Sequence, residues 1–199
     1  MSKRLTCLGT LLTIAVATTA LAQQPQRAPR GEATTSIGGK SVAVDYGRPA
    51  LKGRALDTLL KDLPADRIWR AGEQQVTTVN FAGDVTVGGT KVPAGKYSVY
   101  VHAGEGNKWS LVLNKDLGVP LGKIWAAAPD NMKNEPWPHY TDYSATIANQ
   151  EVARIPLKAA TPGTPADLFT ISFAPSGAGQ TMTLAWGTQA WTTDVQPAK

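Results

Sequence analysis

Cysteine is nearly absent from this sequence. Cys7 is the single one, and it falls within the first apolar stretch. If that stretch is removed as a leader, no thiol, disulfide or cysteine metal ligand remains, and stability has to come from packing alone. Histidine is scarce too: His102 and His139 make up the set of 2. Neither belongs to a His-x-His or His-Glu-x-x-His spacing, the arrangements that place two imidazoles on one metal. Charged residues are only 18% of the chain, too few for a disordered chain, a coiled coil or a polybasic tail. The basic ones are scattered, and the net charge falls from +5 to about +3 when Lys3 and Arg4 leave with the leader. That argues against nucleic acid as a partner, which would need a contiguous basic face. No dinucleotide fingerprint, phosphate loop or nucleophile elbow is present, and nothing in the spacing asks for a cofactor.

What is present begins with an export signal. Lys3 and Arg4 form a basic start, Leu5 to Leu21 is apolar or small, and Ala20-Leu21-Ala22 is the small-x-small pattern read by signal peptidase. Cleavage after Ala22 is expected, giving a periplasmic or extracellular protein. No later stretch reaches the roughly 20 apolar residues of a spanning helix, so no membrane span is expected after cleavage. The 22-residue leader leaves 177 of the 199 residues, enough for one domain with a real core. Residues 23–34 read as a flexible lead-in.

The 19 glycines and 14 prolines punctuate short alternating segments. Val42, Val44 and Tyr46 share one face of a strand, as do Tyr97, Val99 and Val101, and Trp109, Leu111 and Leu113. Phe169, Ile171 and Phe173, then Met182, Leu184 and Trp186, then Trp191, Thr193 and Val195 continue the pattern. Gly88-Gly89 is a link of the kind that closes a tight hairpin. One segment has another period: Leu56, Leu59, Leu60 and Leu63 form a helical stripe, with Asp57 early, Lys61 late and Pro64 as terminator. The expectation for residues 35–199 is a single all-β domain. It is an antiparallel β-sandwich or flattened barrel of about nine strands, with one short docked helix near 55–63 and an irregular loop at 118–143.

Several of these segments resemble a known family. Val44-Asp45-Tyr46-Gly47-Arg48-Pro49-Ala50-Leu51-Lys52-Gly53-Arg54 is similar to the opening signature of the bacterial domain of unknown function 2911. So are Ile68-Trp69-Arg70-Ala71-Gly72, Val87-Gly88-Gly89, Val92-Pro93-Ala94-Gly95-Lys96-Tyr97-Ser98 and the strand ending in Asn114-Lys115. The likeness runs in order through residues 35–115, fades from 117 to 165 and returns in the last strands. It implies an exported, β-rich protein and carries no assigned activity. Where that family usually has an Asn-Glu pair, this chain has Gln74-Gln75, with Glu73 two positions before Gln75. A carboxylate is therefore missing from a place where acid–base or metal work would want one.

For chemistry, the densest group is Asp45, Arg48, Arg54, Trp69 and Arg70, with Gln75 nearby in sequence. An arginine fork matches carboxylates and phosphates bidentately, so this group is the candidate site for an anionic small molecule or a glycan, with Asp45 orienting the arginines. The competing reading makes the same residues braces, Asp45 pairing with Arg48 or Arg70 to pin the excursion between the first strand and Pro64. Ser98, Tyr100 and His102 share the other face of their strand and read as a solvent-facing or groove-lining row. Ser98 and His102 sit about 13 Å apart on an extended strand, too far for a nucleophile and its base. Trp109 and Trp186 read as core; Trp125, Trp137 and Trp191 are freer to stack on sugar faces, with core or flap anchoring the preferred reading for each. The reading that results is an exported, non-catalytic binding module. The alternative is a small periplasmic hydrolase or metal-dependent enzyme using His102 or His139.

Overall fold

The alternating segments form strands in the computed structural model, which describes residues 27–138 and 142–198. The expected leader Met1–Ala22, with Cys7, lies outside the described residues, as do His139 and Tyr140. In chain order come β1 (Arg30–Ile37), β2 (Lys40–Gly47), α1 (Leu56–Lys61), β3 (Ile68–Trp69), β4 (Thr78–Phe81), β5 (Val85–Val87), β6 (Thr90–Val92), β7 (Gly95–Ala103) and β8 (Trp109–Asn114). The irregular region then holds β9 (Val119–Pro120), α2 (Leu121–Ile124), β10 (Pro136–Trp137) and α3 (Tyr143–Thr146). Last are β11 (Glu151–Pro156), β12 (Lys158–Ala160), β13 (Ala166–Ser176), β14 (Gly179–Gly187) and β15 (Gln189–Pro197).

Two antiparallel sheets face each other as a sandwich. The first has the order β1-β2-β4-β7-β8-β11, with β3 following β4 along the same edge of β7; the second has the order β13-β14-β15-β5-β6, with β12 also on β15. The strands outnumber the expected nine or so because the edges of β7 and β15 are each shared by two short strands, and because β9 and β10 make a small separate ribbon. The alternation works as the side-chain period of two requires. Val42, Val44, Val99, Leu111 and Leu113 from the first sheet meet Phe169, Ile171, Leu184, Trp191 and Val195 from the second in one core. Trp191 was expected to be freer, but it is 2% exposed and stacks on Trp109 with centroids 3.9 Å apart. At Gly88 (φ 54°) and Gly89 (φ 87°) both turn residues are left-handed. This is the type I′ geometry that matches strand twist, and it closes the β5–β6 hairpin.

β1 begins at Arg30, inside the segment 23–34 expected to be a loose lead-in. Its inward residues are small, Ala33 among them, so the hydrophobic alternation is faint although the register with β2 is continuous from Arg30↔Gly47 to Ile37↔Lys40. Tyr46 ties this edge to the other sheet: its hydroxyl accepts from the Ile171 N–H at 2.9 Å and donates to the Ile171 carbonyl at 3.3 Å. Because β13 is an edge strand, its outward backbone groups would otherwise lack a ladder partner.

α1 is too short to persist alone. It is held by Leu56, which is buried, and by Leu59 and Leu60, which pack against the core together with Leu63 just beyond its end. A second, smaller core lies on the outer face of the first sheet. There α3 and the turn after it lay Tyr143 and Ile147 over Ile68, Tyr100 and Val112. This corrects the solvent-facing half of the expectation for that row, since Ser98 is 0% and Tyr100 1% exposed beneath the far end of the irregular region. Asn114 anchors that cover, its amide donating to the Tyr143 hydroxyl at 2.9 Å and to the Ile147 carbonyl at 2.8 Å. Among the described residues, no helix is long and apolar enough to cross a membrane.

Candidate functional site

The six sequence candidates separate into a cavity-lining group and a bracing group. Arg54, Trp69 and Arg70 line one cavity of about 260 Å³, together with Leu59, Leu63, Glu73 and Trp186 among others. Asp45, Arg48 and Gln75 do not line it.

The bracing group is clear from its bonds. Asp45 points outward from β2 and pairs with Arg30 at 2.8 Å, not with Arg48 or Arg70 as the sequence reading expected. β1, which supplies Arg30, was not recognised as a strand, so its guanidinium was not counted as a neighbour. Arg48 donates from Nε to the Phe169 carbonyl at 3.2 Å and from Nη2 to the Thr170 hydroxyl at 3.1 Å. It therefore ties the end of β2 to β13. Gln75 lies near Glu135 beside the β9–β10 ribbon, and the Glu135 carboxylate takes Arg27 Nη2 at 2.8 and 2.6 Å. Burial pushes the Glu135 carboxyl up, but the hydrogen bonds and charge of Arg27, with polar neighbours beside it, outweigh it and hold it below the ordinary carboxylate range.

The cavity-lining group is set in place by the backbone around it. After β2 the chain is stitched to the start of β13 by Leu51 N–H to Asp167 O at 2.9 Å and Phe169 N–H to Pro49 O at 2.9 Å. From that anchor Arg54 folds back, giving Nε to the Leu51 carbonyl at 2.9 Å and Nη2 to the Ala50 carbonyl at 3.1 Å. The guanidinium is thereby fixed at the cavity wall rather than left to wave in solvent. Trp69 sits half-buried on β3, parallel to Trp186 at 5.2 Å and edge-on to Phe169 at 4.8 Å. Trp186 thus covers one face of the indole. Of the tryptophans expected to be freer, Trp125 is 49% exposed, while Trp137 lies on β10 of the small ribbon, paired with Val119.

Arg70 opens a tight loop that carries Glu73 into the same cavity. The loop holds two left-handed residues that are not glycine, Ala71 (φ 48°) and Gln74 (φ 65°), a conformation that costs roughly 1–2 kcal/mol each. It persists because the Thr77 hydroxyl bonds the Ala71 carbonyl at 2.9 Å and because Gly47 lets it pass close. A Cβ at Gly47 would lie 2.1 Å from the Glu73 carbonyl oxygen. Strain held in this way by its surroundings concentrates where a protein positions functional groups.

Arg70, Trp69 and Leu63 also line a second cavity of about 260 Å³, on the outer face of the first sheet. Its other walls include Asp62, Asp66, Ile68, Tyr100 and Tyr143. Asp66 joins β3 to α3, accepting from the Ile68 N–H at 3.2 Å and from the Ser144 N–H and hydroxyl at 3.2 Å each. None of these four polar residues was singled out from the sequence as a site residue. Tyr100 was read as one of three residues in a solvent-facing or groove-lining row, and the others lack any motif. A tyrosine among valines on a strand whose opposite face is already apolar was the one available signal.

His102 borders this region without lining either cavity. Burial, with Arg154 nearby, pushes its pKa below the ordinary histidine value. Among the described residues no three of His, Cys, Asp and Glu gather as metal ligands.

No curated protein and no solved structure matches the chain. The family model described as a protein of unknown function (DUF2911) matches residues 28–195, a span that takes in both sheets and every residue named on the two cavities, and the chain belongs to that family.

Proposed function

We propose that the protein is an exported, non-catalytic binding module whose Arg54–Trp69–Arg70 cavity takes a small ligand bearing an anionic group. One observation carries this reading: three residues singled out for anion recognition, separated in sequence by α1, meet on one cavity. Two guanidiniums against the single carboxylate of Glu73 favour an anion. The leucines, Trp69 and Trp186 supply an apolar wall for the rest of the ligand, the usual make-up of a small-molecule site. The export half of the reading rests on Lys3, Arg4 and the Ala20-Leu21-Ala22 pattern.

The test is thermal unfolding of the mature chain with inorganic phosphate, citrate and D-glucuronate. A ligand at about a hundred times its Kd adds roughly 2.7 kcal/mol to stability, and Arg54→Ala and Arg70→Ala should each remove the resulting rise in Tm. A flat response to all three anions overturns the anion site. A response lost on treatment with EDTA overturns the metal-free reading. Export is tested by the N-terminus of the secreted chain, expected at Gln23.

A further inference from the structure

The wall of the first cavity carries charge of both signs. Arg54, Arg70 and Glu73 all line it, yet among the described residues the Glu73 carboxylate enters no hydrogen bond and no ion pair, with either arginine or with any other group. Opposite charges on one cavity close into a salt bridge unless the backbone holds them apart, and here it does. Glu73 is half-buried on the strained loop after β3, whose path is fixed by its close pass over Gly47. Arg54 is tied to the Leu51 and Ala50 carbonyls. Those bonds use two of the five N–H groups of a guanidinium, and the remaining three can serve a ligand. A simple anion bound at the arginines meets Glu73 as a like charge. A ligand that also brings a cation to Glu73 turns that repulsion into attraction. Leu59, Leu63 and Trp186 offer the rest of such a molecule an apolar surface.

Resting on the anion site proposed above, we propose that this cavity takes a free α-amino acid with an aliphatic side chain. Arg54 and Arg70 hold its carboxylate, Glu73 holds its ammonium, and the side chain lies against Leu59, Leu63 and Trp186. The charge pattern selects this class. A peptide C-terminus brings the carboxylate with an amide in place of the ammonium, and a peptide N-terminus brings the ammonium without the carboxylate. Of these, the free amino acid alone carries both charges on one carbon. A charged side chain would have to leave water for the leucine wall, at a cost that an aliphatic one avoids. The cavity, about 260 Å³, is slightly smaller than the roughly 300 Å³ at which sites for drug-sized ligands begin, a scale suited to one small molecule.

The experiment is calorimetric titration of the mature protein with L-leucine, isocaproate, L-leucinamide and inorganic phosphate, repeated on Glu73→Gln. Isocaproate is leucine without its ammonium, and L-leucinamide is leucine without its carboxylate charge. Leucine should bind roughly ten- to a hundredfold more tightly than isocaproate, the worth of one hydrogen bond to a charged group, and L-leucinamide more weakly than leucine. Glu73→Gln should remove most of the advantage of leucine while isocaproate and phosphate bind at least as tightly as before. That variant deletes a charge with no contact in the fold, so its unliganded Tm should match the wild type; should it fail to fold, the comparison of leucine with isocaproate on the wild type decides alone. Equal affinity for leucine and isocaproate, an advantage that survives Glu73→Gln, or binding of phosphate with neither of them overturns the amino-acid site while the anion site stands. Absence of binding by phosphate, leucine and isocaproate overturns the two together.

Discussion

Deleting one oxygen, in Tyr46→Phe, tests how the two sheets are joined. The ring is 3% exposed and packs edge-on to Phe169 with centroids 5.7 Å apart, contacts that phenylalanine keeps. The variant loses the hydroxyl that holds both the N–H and the carbonyl of Ile171, at 2.9 and 3.3 Å. Those groups lie on the open edge of β13, where no neighbouring strand replaces the lost partner. A carbonyl tolerates this better than an N–H, so the expected cost is about 1–3 kcal/mol, mostly from the orphaned donor. For a chain of this size that corresponds to roughly 3–10 °C in Tm. Urea unfolding should show a lower midpoint with an unchanged slope, because the area exposed on unfolding is the same. A loss under about 0.5 kcal/mol, the range of an ordinary surface change, would refute the argument that this hydroxyl closes the β13 edge.

Gly47→Ala should lower stability by about 1–3 kcal/mol, because its new Cβ would fall 2.1 Å from the Glu73 carbonyl oxygen. The shifted loop should also weaken the phosphate-induced rise in Tm. Glu135 makes a prediction about pH. Its folded pKa lies below the ordinary carboxylate value, so its contribution is full above that value and is lost as pH falls through the folded pKa. Glu135→Gln should therefore flatten the acid limb of the stability–pH profile, read by urea midpoints from neutral pH downward, and an unchanged limb would deny the carboxylate this role.

Much of the sandwich was legible because it depends on local rules. A period of two puts Val42, Val44 and Tyr46 inside whatever sheet they join, and the leucine stripe from Leu56 to Leu63 implies a helix that must dock. Trp191 alternates with Thr193 and Val195 along β15, but only the tertiary structure shows that this face meets Trp109 across the sandwich. The row on β7 was misread for a different reason. Tyr100 and Ser98 do alternate with the core valines, but a segment more than forty positions later, Tyr143–Gln150, covers them. Alternation states which residues share a face, not whether that face meets water.

The candidate site divides along the same line. Residue chemistry alone marked the arginines and Trp69 as groups able to hold an anion, since a guanidinium fork carries that capacity wherever it is placed. Which arginines line a cavity was decided by tertiary contacts. Arg48 gives Nε and Nη2 to β13 and Asp45 is engaged by Arg30; Arg54 likewise gives Nε and Nη2 to backbone carbonyls, yet it and Arg70 line one cavity because the β2–α1 excursion and the strained loop after β3 are pinned to the same end of the sandwich. Composition and spacing determine what a side chain can do. Long-range pairing, set by backbone hydrogen bonds between segments far apart in the chain, decides which of those capacities is already used and which faces a cavity.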